Sequence, residues 1–245
     1  MKIIHLANTG FLLKNTSKDK TILIDAVNTG KVYPFTSLPE STLKDMIEGN
    51  HPFECIDLIL FTHHHKDHFD AESTLKILES HPESAVFSTP KAYEILVAHS
   101  SCTSELKKKI YFGEVPLKKT LSFNINGISF YGTSLLHSGD QYKDVQNYCY
   151  TLDIDSETVF HCGDAHHSVE NYKNCGVAEL NVSIALLDFP YITLSSGRRV
   201  IQECIKPQKI HLMHLPLASE DKYEWIKAVE KSIEKFSDEL PEIIL

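Results

Sequence analysis

The segment from His63 to His68 (His-His-His-Lys-Asp-His) constrains this chain more than any other feature of its sequence. It follows Ile56–Phe61, an almost continuous apolar run that ends abruptly at Thr62. A short apolar run bounded by polar residues is typical of a buried strand. We therefore expect the histidine-rich segment to begin where that strand ends, at the edge of a sheet where functional sites are common.

Four side chains in this segment are suited to metal binding: His63, His65, Asp67 and His68. Alternate residues such as His63 and His65 can converge on one ion, while Asp67 and His68 turn towards a second. Imidazole and carboxylate groups are good zinc ligands, but four of them cannot close one tetrahedral site that keeps a position open for water. The pattern therefore predicts two ions, whereas a solvated histidine-rich loop would not need the preceding apolar strand.

Further motifs follow in an order that resembles the metallo-β-lactamase superfamily. A strand ends at Asp25, the pattern His-x-His-x-Asp-His spans His63–His68, and His137 follows a mid-chain strand. Asp164 stands in a Gly-Asp pair after another strand, and His214 ends a late one. These five elements cover most of the chain, so the resemblance does not rest on a single motif.

The resemblance implies an α/β fold, a four-layer αββα sandwich of two mixed β-sheets, formed by a single domain over residues 1–245. Hydrophobic periodicity independently indicates sheets covered by helices, because strands dominate the first part and helices alternate with strands in the last third. Strands are predicted at 3–7, 10–14, 21–25, 56–61, 85–88, 121–125, 128–133, 148–154, 158–161, 182–187 and 209–213. Helices are predicted after Ser41, from Ala71, over 92–99, from Gly197 and at the end, where Trp225, Val229, Ile233 and Phe236 share one face.

The resemblance also implies a set of metal ligands. One ion would be held by His63, His65 and His137, the other by Asp67, His68 and His214, with Asp164 bridging both and Asp25 orienting the first histidine motif. Two divalent ions are expected, zinc first and manganese as the alternative.

Such a centre implies a binuclear metal-dependent hydrolase. A hydroxide that bridges the ions would be the nucleophile, Asp67 would accept or orient its proton, and His166 would protonate the leaving group. The Gly-Asp-Ala-His-His run is most similar to the branch of sugar-phosphate lactonases and acyl-phosphatidylethanolamine phospholipase D. Lactone, ester and phosphodiester cleavage all fit this chemistry, so a phosphodiesterase acting on small molecules or cyclic nucleotides stays an alternative.

Two rivals belong to other classes. A di-iron redox protein of the same fold carries Glu in place of the second histidine of the motif, and this chain has His65. An all-histidine first site favours zinc over oxygen chemistry. A scaffolding protein without catalysis would be expected to lack some of the ligands, and none is missing here.

The charge composition limits the classes of molecule that this chain is expected to bind. The formal net charge is −9, with 24 Lys and Arg against 33 Asp and Glu, and only Arg198 and Arg199 are arginines. This disfavours a long nucleic acid, whose binding needs a basic face. A small anionic substrate remains compatible, because two divalent ions would make the site locally positive.

The sequence predicts a cytoplasmic protein. Its six cysteines are scattered, its first strand is not preceded by a leader-like apolar segment, and no apolar stretch approaches membrane length. Oligomeric state is not predicted.

Several other side chains have two interpretations. His161, Cys162 and His211 are expected to pack in the structure rather than bind metal. His64 is expected to support the metal ligands or to lie at the rim of the site, with a catalytic role as the alternative. Arg198 is expected in solvent, with a substrate contact as the alternative. The loop between Asn28 and Glu54 either arches over the metals, with Phe35 in an apolar pocket wall, or packs on the outside of the sheet.

Overall fold

The computed structural model describes all 245 residues, and the chain forms two compact units. The first unit comprises residues 1–114 and 124–128, and the second comprises residues 115–123 and 129–245. The prediction of one domain over residues 1–245 is not tested by this division and stays a prediction.

The first unit is built on a six-stranded sheet in sequence order. The first three strands pair antiparallel and the remaining neighbours pair parallel, so the sheet is mixed. Its strands are β1 (Lys2–Ala7), β2 (Gly10–Asn15), β3 (Lys20–Ile24), β4 (Leu58–Leu60), β5 (Ala85–Ser88) and β6 (Ile110–Phe112).

Helices supply the long crossovers that parallel neighbours require. They are α1 (Glu40–Glu48), α2 (Ala71–Ser80), α3 (Pro90–Ala98) and α4 (Ser104–Lys107). The side chain of Asp70 accepts a hydrogen bond from Ser73 N and begins α2 directly after the histidine-rich segment. All three residues of β4 are buried, which is the pattern of a strand covered on both faces. The strand that leads into His63 is therefore part of the core.

The second unit carries a seven-stranded mixed sheet in the order β13-β12-β11-β10-β9-β8-β7. Its β8, β9 and β10 are antiparallel neighbours, whereas β10 to β13 run parallel. The strands are β7 (Thr120–Ile125), β8 (Ile128–Leu136), β9 (Gln146–Ile154), β10 (Glu157–His161), β11 (Ile184–Asp188), β12 (Lys209–Met213) and β13 (Glu242–Ile244).

Four α-helices accompany this sheet: α5 (Val169–Tyr172), α6 (Pro190–Thr193), α7 (Ser195–Val200), which continues as a π-helical segment over Ile201–Ile205, and α8 (Trp225–Lys235). In α8, Val229 is buried while Trp225 and Ile233 are half-buried, so the predicted apolar face is the packed one. The helix ends one residue before Phe236, which was expected to belong to it.

The prediction of an α/β protein with two mixed β-sheets and flanking helices is confirmed. None of the helices combines the length and the apolar character that crossing a membrane would require.

Candidate metal centre

In the first unit, the histidine-rich segment follows the end of β4, which lies beside the end of β3. Because β3 and β4 run parallel, Asp25 and Thr62 leave the sheet at the same edge. Asp25 Oδ1 accepts a hydrogen bond from Thr62 N at 2.8 Å, and Oδ2 accepts one from Thr62 Oγ1 at 2.6 Å. The carboxylate therefore fixes the point at which the histidine-rich segment leaves β4.

The same carboxylate orients His68. The distance from His68 Nδ1 to Asp25 Oδ2 is 2.8 Å, and both side chains are fully buried. A proton on Nδ1 that is donated to Asp25 leaves Nε2 as the ligand atom and increases its basicity. Thr9 Oγ1, 3.1 Å from the same Nδ1, adds a second contact on this side of the ring. These contacts fit the orienting role predicted for Asp25.

The four predicted ligands of this unit form two pairs. His63 Nε2 and His65 Nδ1 lie 3.1 Å apart, with the two rings nearly perpendicular. Asp67 Oδ2 lies 3.8 Å from His68 Nε2, and both of these residues are buried. The pairing matches the sequence expectation that alternate residues face one ion and Asp67 with His68 face another.

Strand direction brings together the ligands predicted in the second unit. His137 follows β8, Asp164 follows β10 and His214 follows β12. Both β8 and β10 are antiparallel to β9, and β12 is parallel to β10 through β11. The three strands therefore run in the same direction and end at the same edge of the sheet.

Asp164 has a different histidine beside each of its carboxylate oxygens. Oδ2 is 3.5 Å from His137 Nε2, and Oδ1 is 3.5 Å from His214 Nε2. All three side chains are largely buried, so the carboxylate is held away from bulk water. This is the arrangement that a carboxylate shared by two ions needs, because each oxygen then serves a separate ion.

Two buried asparagines hold the loop of Asp164. Asn147 Oδ1 accepts a hydrogen bond from Asp164 N at 2.9 Å, and Asn147 Nδ2 donates to Cys162 O at 3.2 Å. Asn171 accepts from Leu136 N through Oδ1 and donates through Nδ2 to Leu136 O and His166 O. Asn171 thus fastens the end of β8 to the segment after Asp164.

Asp188, at the end of β11, was not identified from the sequence. Its carboxyl is buried, and this burial raises its pKa to about 7, assisted by the negative charge of Asp164 and opposed by His214. The apolar run before it was recognised as a strand. The same signal that marked Asp25, an aspartate closing an apolar strand, could have identified it.

The predicted proton donor, His166, lies on the surface of the second unit. Its ring is exposed and stacks on His167, with the ring centroids 5.0 Å apart, and its Nδ1 is 3.0 Å from Ser168 Oγ. His167 is half-buried, and burial together with its neighbour His166 lowers its pKa to about 4. The catalytic role of His166 stays a prediction.

Other side chains take structural positions. Arg198 donates from Nη1 to the carbonyl oxygens of Ile192 and Thr193 and lies 3.8 Å above the ring of Phe236. These contacts tie α7 to the end of α6 and provide no support for a substrate contact. The alternative expectation for Arg198, exposure to solvent, is also wrong in part, because the side chain is anchored.

The expectations for the remaining residues are met to different degrees. Cys162 is fully buried, and burial raises the pKa of its thiol well above the usual range, so its packing role is confirmed. His161 is buried as well and accepts a hydrogen bond from Gly163 N. His64 and His211 are half-buried. Phe35 is half-buried beside the exposed Tyr33, and its part in a pocket wall stays a prediction.

Comparison with known proteins identifies the family. Residues 2–214 match the family model described as "Beta-lactamase superfamily domain". The chain therefore belongs to the metallo-β-lactamase superfamily, and the predicted enzyme class, a metal-dependent hydrolase of this superfamily, is confirmed at that level. No curated protein matched the sequence.

Solved structures share the fold at low sequence identity. Igni18, a metallo hydrolase from Ignicoccus hospitalis, is 18% identical over 99% of this chain and 93% of its own, with a TM-score of 0.64. CmlA, a diiron β-hydroxylase from Streptomyces venezuelae, is 15% identical over 98% of this chain and 52% of its own, with a TM-score of 0.64. Zinc-bound PqqB from Methylobacterium extorquens is 12% identical over 96% of this chain and 84% of its own, with a TM-score of 0.57.

Proposed function

We propose that this chain is a binuclear hydrolase that cleaves an ester, lactone or phosphodiester bond in a small, anionic substrate. Asp164 carries this proposal, because each of its carboxylate oxygens lies 3.5 Å from a different histidine. The proposed ligand sets are His63, His65, His137 and Asp164 for one ion, and Asp67, His68 and His214, with Asp164 shared, for the other.

The chemistry of these residues fits zinc. All seven ligands are imidazole or carboxylate groups, which bind zinc well, and no thiolate is among them. Manganese is the alternative, because carboxylate ligands also suit it. The pair formed by Asp25 and His68 is the hydrogen-bonded carboxylate and histidine that commonly supports a metal ligand.

Two divalent ions, when bound, supply an activated water and stabilise the negative charge that develops on the substrate. The residues of the chain complete the reaction. Asp67, a carboxylate beside His68, would accept or orient a proton from the attacking water. His166 is our candidate for returning a proton to the leaving group, since imidazole can act as an acid near neutral pH.

A substrate panel tests the proposed reaction. The purified protein, loaded with zinc or manganese, should hydrolyse at least one of three probe classes: bis-p-nitrophenyl phosphate, simple lactones or cyclic nucleotides. Activity confined to lactones supports a lactonase, whereas activity on the phosphate probes supports a phosphodiesterase. Failure with every probe, in protein shown to hold both ions, would contradict the proposed bond classes.

A redox protein with two iron ions is the competing function, and the shared fold of CmlA is the reason to test for it. His65 argues for hydrolysis, because an all-histidine first set favours zinc. Aerobic purification from medium that contains zinc, manganese and iron distinguishes the hydrolase from the redox protein. A hydrolase should retain zinc or manganese, whereas bound iron with a characteristic visible absorption would support the redox function. Cytoplasmic location and a small-molecule partner stay predictions from the sequence.

A further inference from the structure

Asp67 and His68 are consecutive residues that we assign to the same ion, so the peptide between them controls how both side chains face it. The carbonyl oxygen of this peptide, Asp67 O, accepts two hydrogen bonds from side-chain amides. Asn8 Nδ2 donates to it at 3.0 Å and Asn28 Nδ2 donates at 2.8 Å. Both asparagines are buried, with exposed fractions of 2% and 0%.

The two asparagines are themselves held from outside the histidine-rich segment, Asn8 through its backbone and Asn28 through its side chain. The backbone N–H of Asn8 donates to Thr36 Oγ1 at 2.6 Å, and the backbone of Asn8 has a left-handed φ of 47°. On the other asparagine, Asn28 Oδ1 accepts from Leu38 N at 3.0 Å, which sets which end of its amide faces Asp67. Both asparagines are therefore held by the same short stretch, residues 36–38, which lies outside the histidine-rich segment.

The segment that carries Asn28 also packs closely on the histidine-rich segment. A Cβ atom at Gly30 would lie 2.8 Å from Lys66 O and 2.9 Å from Lys66 Cβ, so only glycine fits there. This close approach brings Asn28 within reach of Asp67.

We propose that Asn8 and Asn28 are positioning residues that preorganise the ion site of Asp67 and His68. This inference rests on the proposed function, which assigns both ligands to one ion. Two donors on one carbonyl fix the plane of the 67–68 peptide and thereby the directions in which both ligands leave the backbone. Asp25 acts differently, because it orients the His68 ring. Replacing either asparagine should therefore weaken the binding of the ion assigned to Asp67 and His68 more than the binding of the other ion.

Variants can separate positioning from a general loss of stability. Asn8→Gly removes the amide without backbone strain, because glycine tolerates the positive φ. Asn28→Asp is isosteric, keeps an acceptor for Leu38 N and removes the donor. The matched control is Asn126→Gly: Asn126 also has a positive φ, of 52°, and its Nδ2 donates to two backbone carbonyls of the same unit, Asp57 O and Glu83 O.

Zinc titration against a competing chelator is the measurement. In Asn8→Gly and Asn28→Asp we expect the Kd of one ion to rise by about 10- to 100-fold, the usual effect of losing a residue that orients a ligand. The Kd of the other ion should stay within about threefold of the unmodified chain. Adding His68→Ala to either variant should cost no further tightly bound ion, whereas adding His63→Ala should remove the remaining one. Asn126→Gly should bind both ions normally.

Three outcomes would overturn the inference: unchanged affinity for both ions, equal weakening of both ions, or the same weakening in Asn126→Gly. A fall in the thermal midpoint of the metal-free protein with normal zinc affinity would assign the asparagines a purely structural role. The unmodified chain distinguishes this inference from the proposed function. If it binds fewer than two ions, the proposed function fails; if it binds two and the variants bind both with unchanged affinity, only the inference fails.

Discussion

Asp164 is the residue on which the proposed pair of ions depends most. Its two oxygens lie at the same distance from His137 and His214, and its backbone N–H is bound by Asn147. A carboxylate in this position lowers the repulsion between two cations, because it places negative charge between them. Removing it should therefore affect both ions together.

We predict that Asp164→Ala loses both ions and lowers kcat/KM by at least about 100-fold, since it removes a ligand rather than a residue that supports one. Elemental analysis and steady-state kinetics with the best probe check this result. The control is His211→Ala, which changes a histidine on β12, the strand that His214 follows. It should retain both ions and lower the free energy of unfolding by about 1 kcal/mol. Loss of metal in His211→Ala but not in His214→Ala would contradict the ligand assignment.

His167 gives a prediction about pH. Its pKa in the folded chain is about 4, below the usual value of 6.5, because burial disfavours the imidazolium. As the pH falls from about 7 to 4, the unfolded chain binds this proton first, so the folded state loses stability in that window. His167→Gln should therefore show a smaller fall in the thermal midpoint between pH 7.5 and pH 5 than the unmodified chain.

Surface residue His166 is the matched control for this pH effect, because it is exposed and adjacent. His166→Gln should flatten the pH dependence of the thermal midpoint less than His167→Gln does, because it removes only the smaller, electrostatic cause of the lowered pKa of His167 and leaves the burial. An identical pH dependence in His167→Gln and the unmodified chain would show that His167 titrates normally in the fold.

At the scale of elements, the sequence predicted the strands and helices that are marked by an apolar pattern within their own residues. The apolar run before His63 marked β4, and the strand at 85–88 was predicted with the observed bounds. The short strands β6 and β13 were missed, because three residues carry no readable alternation and their conformation depends on pairing with β5 and β12.

In the candidate metal site too, some residues are marked by local sequence and others act only through tertiary contacts. The metal-competent residues could be predicted, because each ends an apolar strand or belongs to a spaced motif. The side chains that hold their backbones could not, because Asn8, Asn28, Asn147 and Asn171 act through tertiary hydrogen bonds with distant residues. An asparagine in a sequence carries no mark of the carbonyl that it will bind.

The helix α5 provides a test at this scale, because its buried Asn171 joins it to the end of β8. Asn171→Ala would leave Leu136 N, Leu136 O and His166 O without this partner. These atoms are only part-buried, and the two carbonyl oxygens each keep a second backbone donor. A lost hydrogen bond of this kind costs about 0.5–1.5 kcal/mol net, so the free energy of unfolding should fall by about 1–3 kcal/mol in urea denaturation.

Asn50→Ala serves as the control for that measurement. Its amide donates to exposed carboxylates of Asp45 and Glu48, which water can solvate instead. The change in unfolding free energy should stay within about 0.5 kcal/mol. A loss of similar size in both variants would contradict a specific role for Asn171.

At the scale of the whole molecule, charge and metal content are linked. The chain carries a formal net charge of −9, and the proposed ligands include the carboxylates of Asp67 and Asp164. Two divalent cations would offset part of this charge at the place where the proposed anionic substrate would bind. The proposed function therefore depends on the number of ions that the intact chain retains.

Elemental analysis of the intact protein, purified without chelator from metal-supplemented medium, tests this account most directly. We predict close to two divalent ions per chain, with zinc the most abundant, because seven ligands are more than one ion can use. One ion or none per chain would contradict the binuclear centre and with it the proposed function.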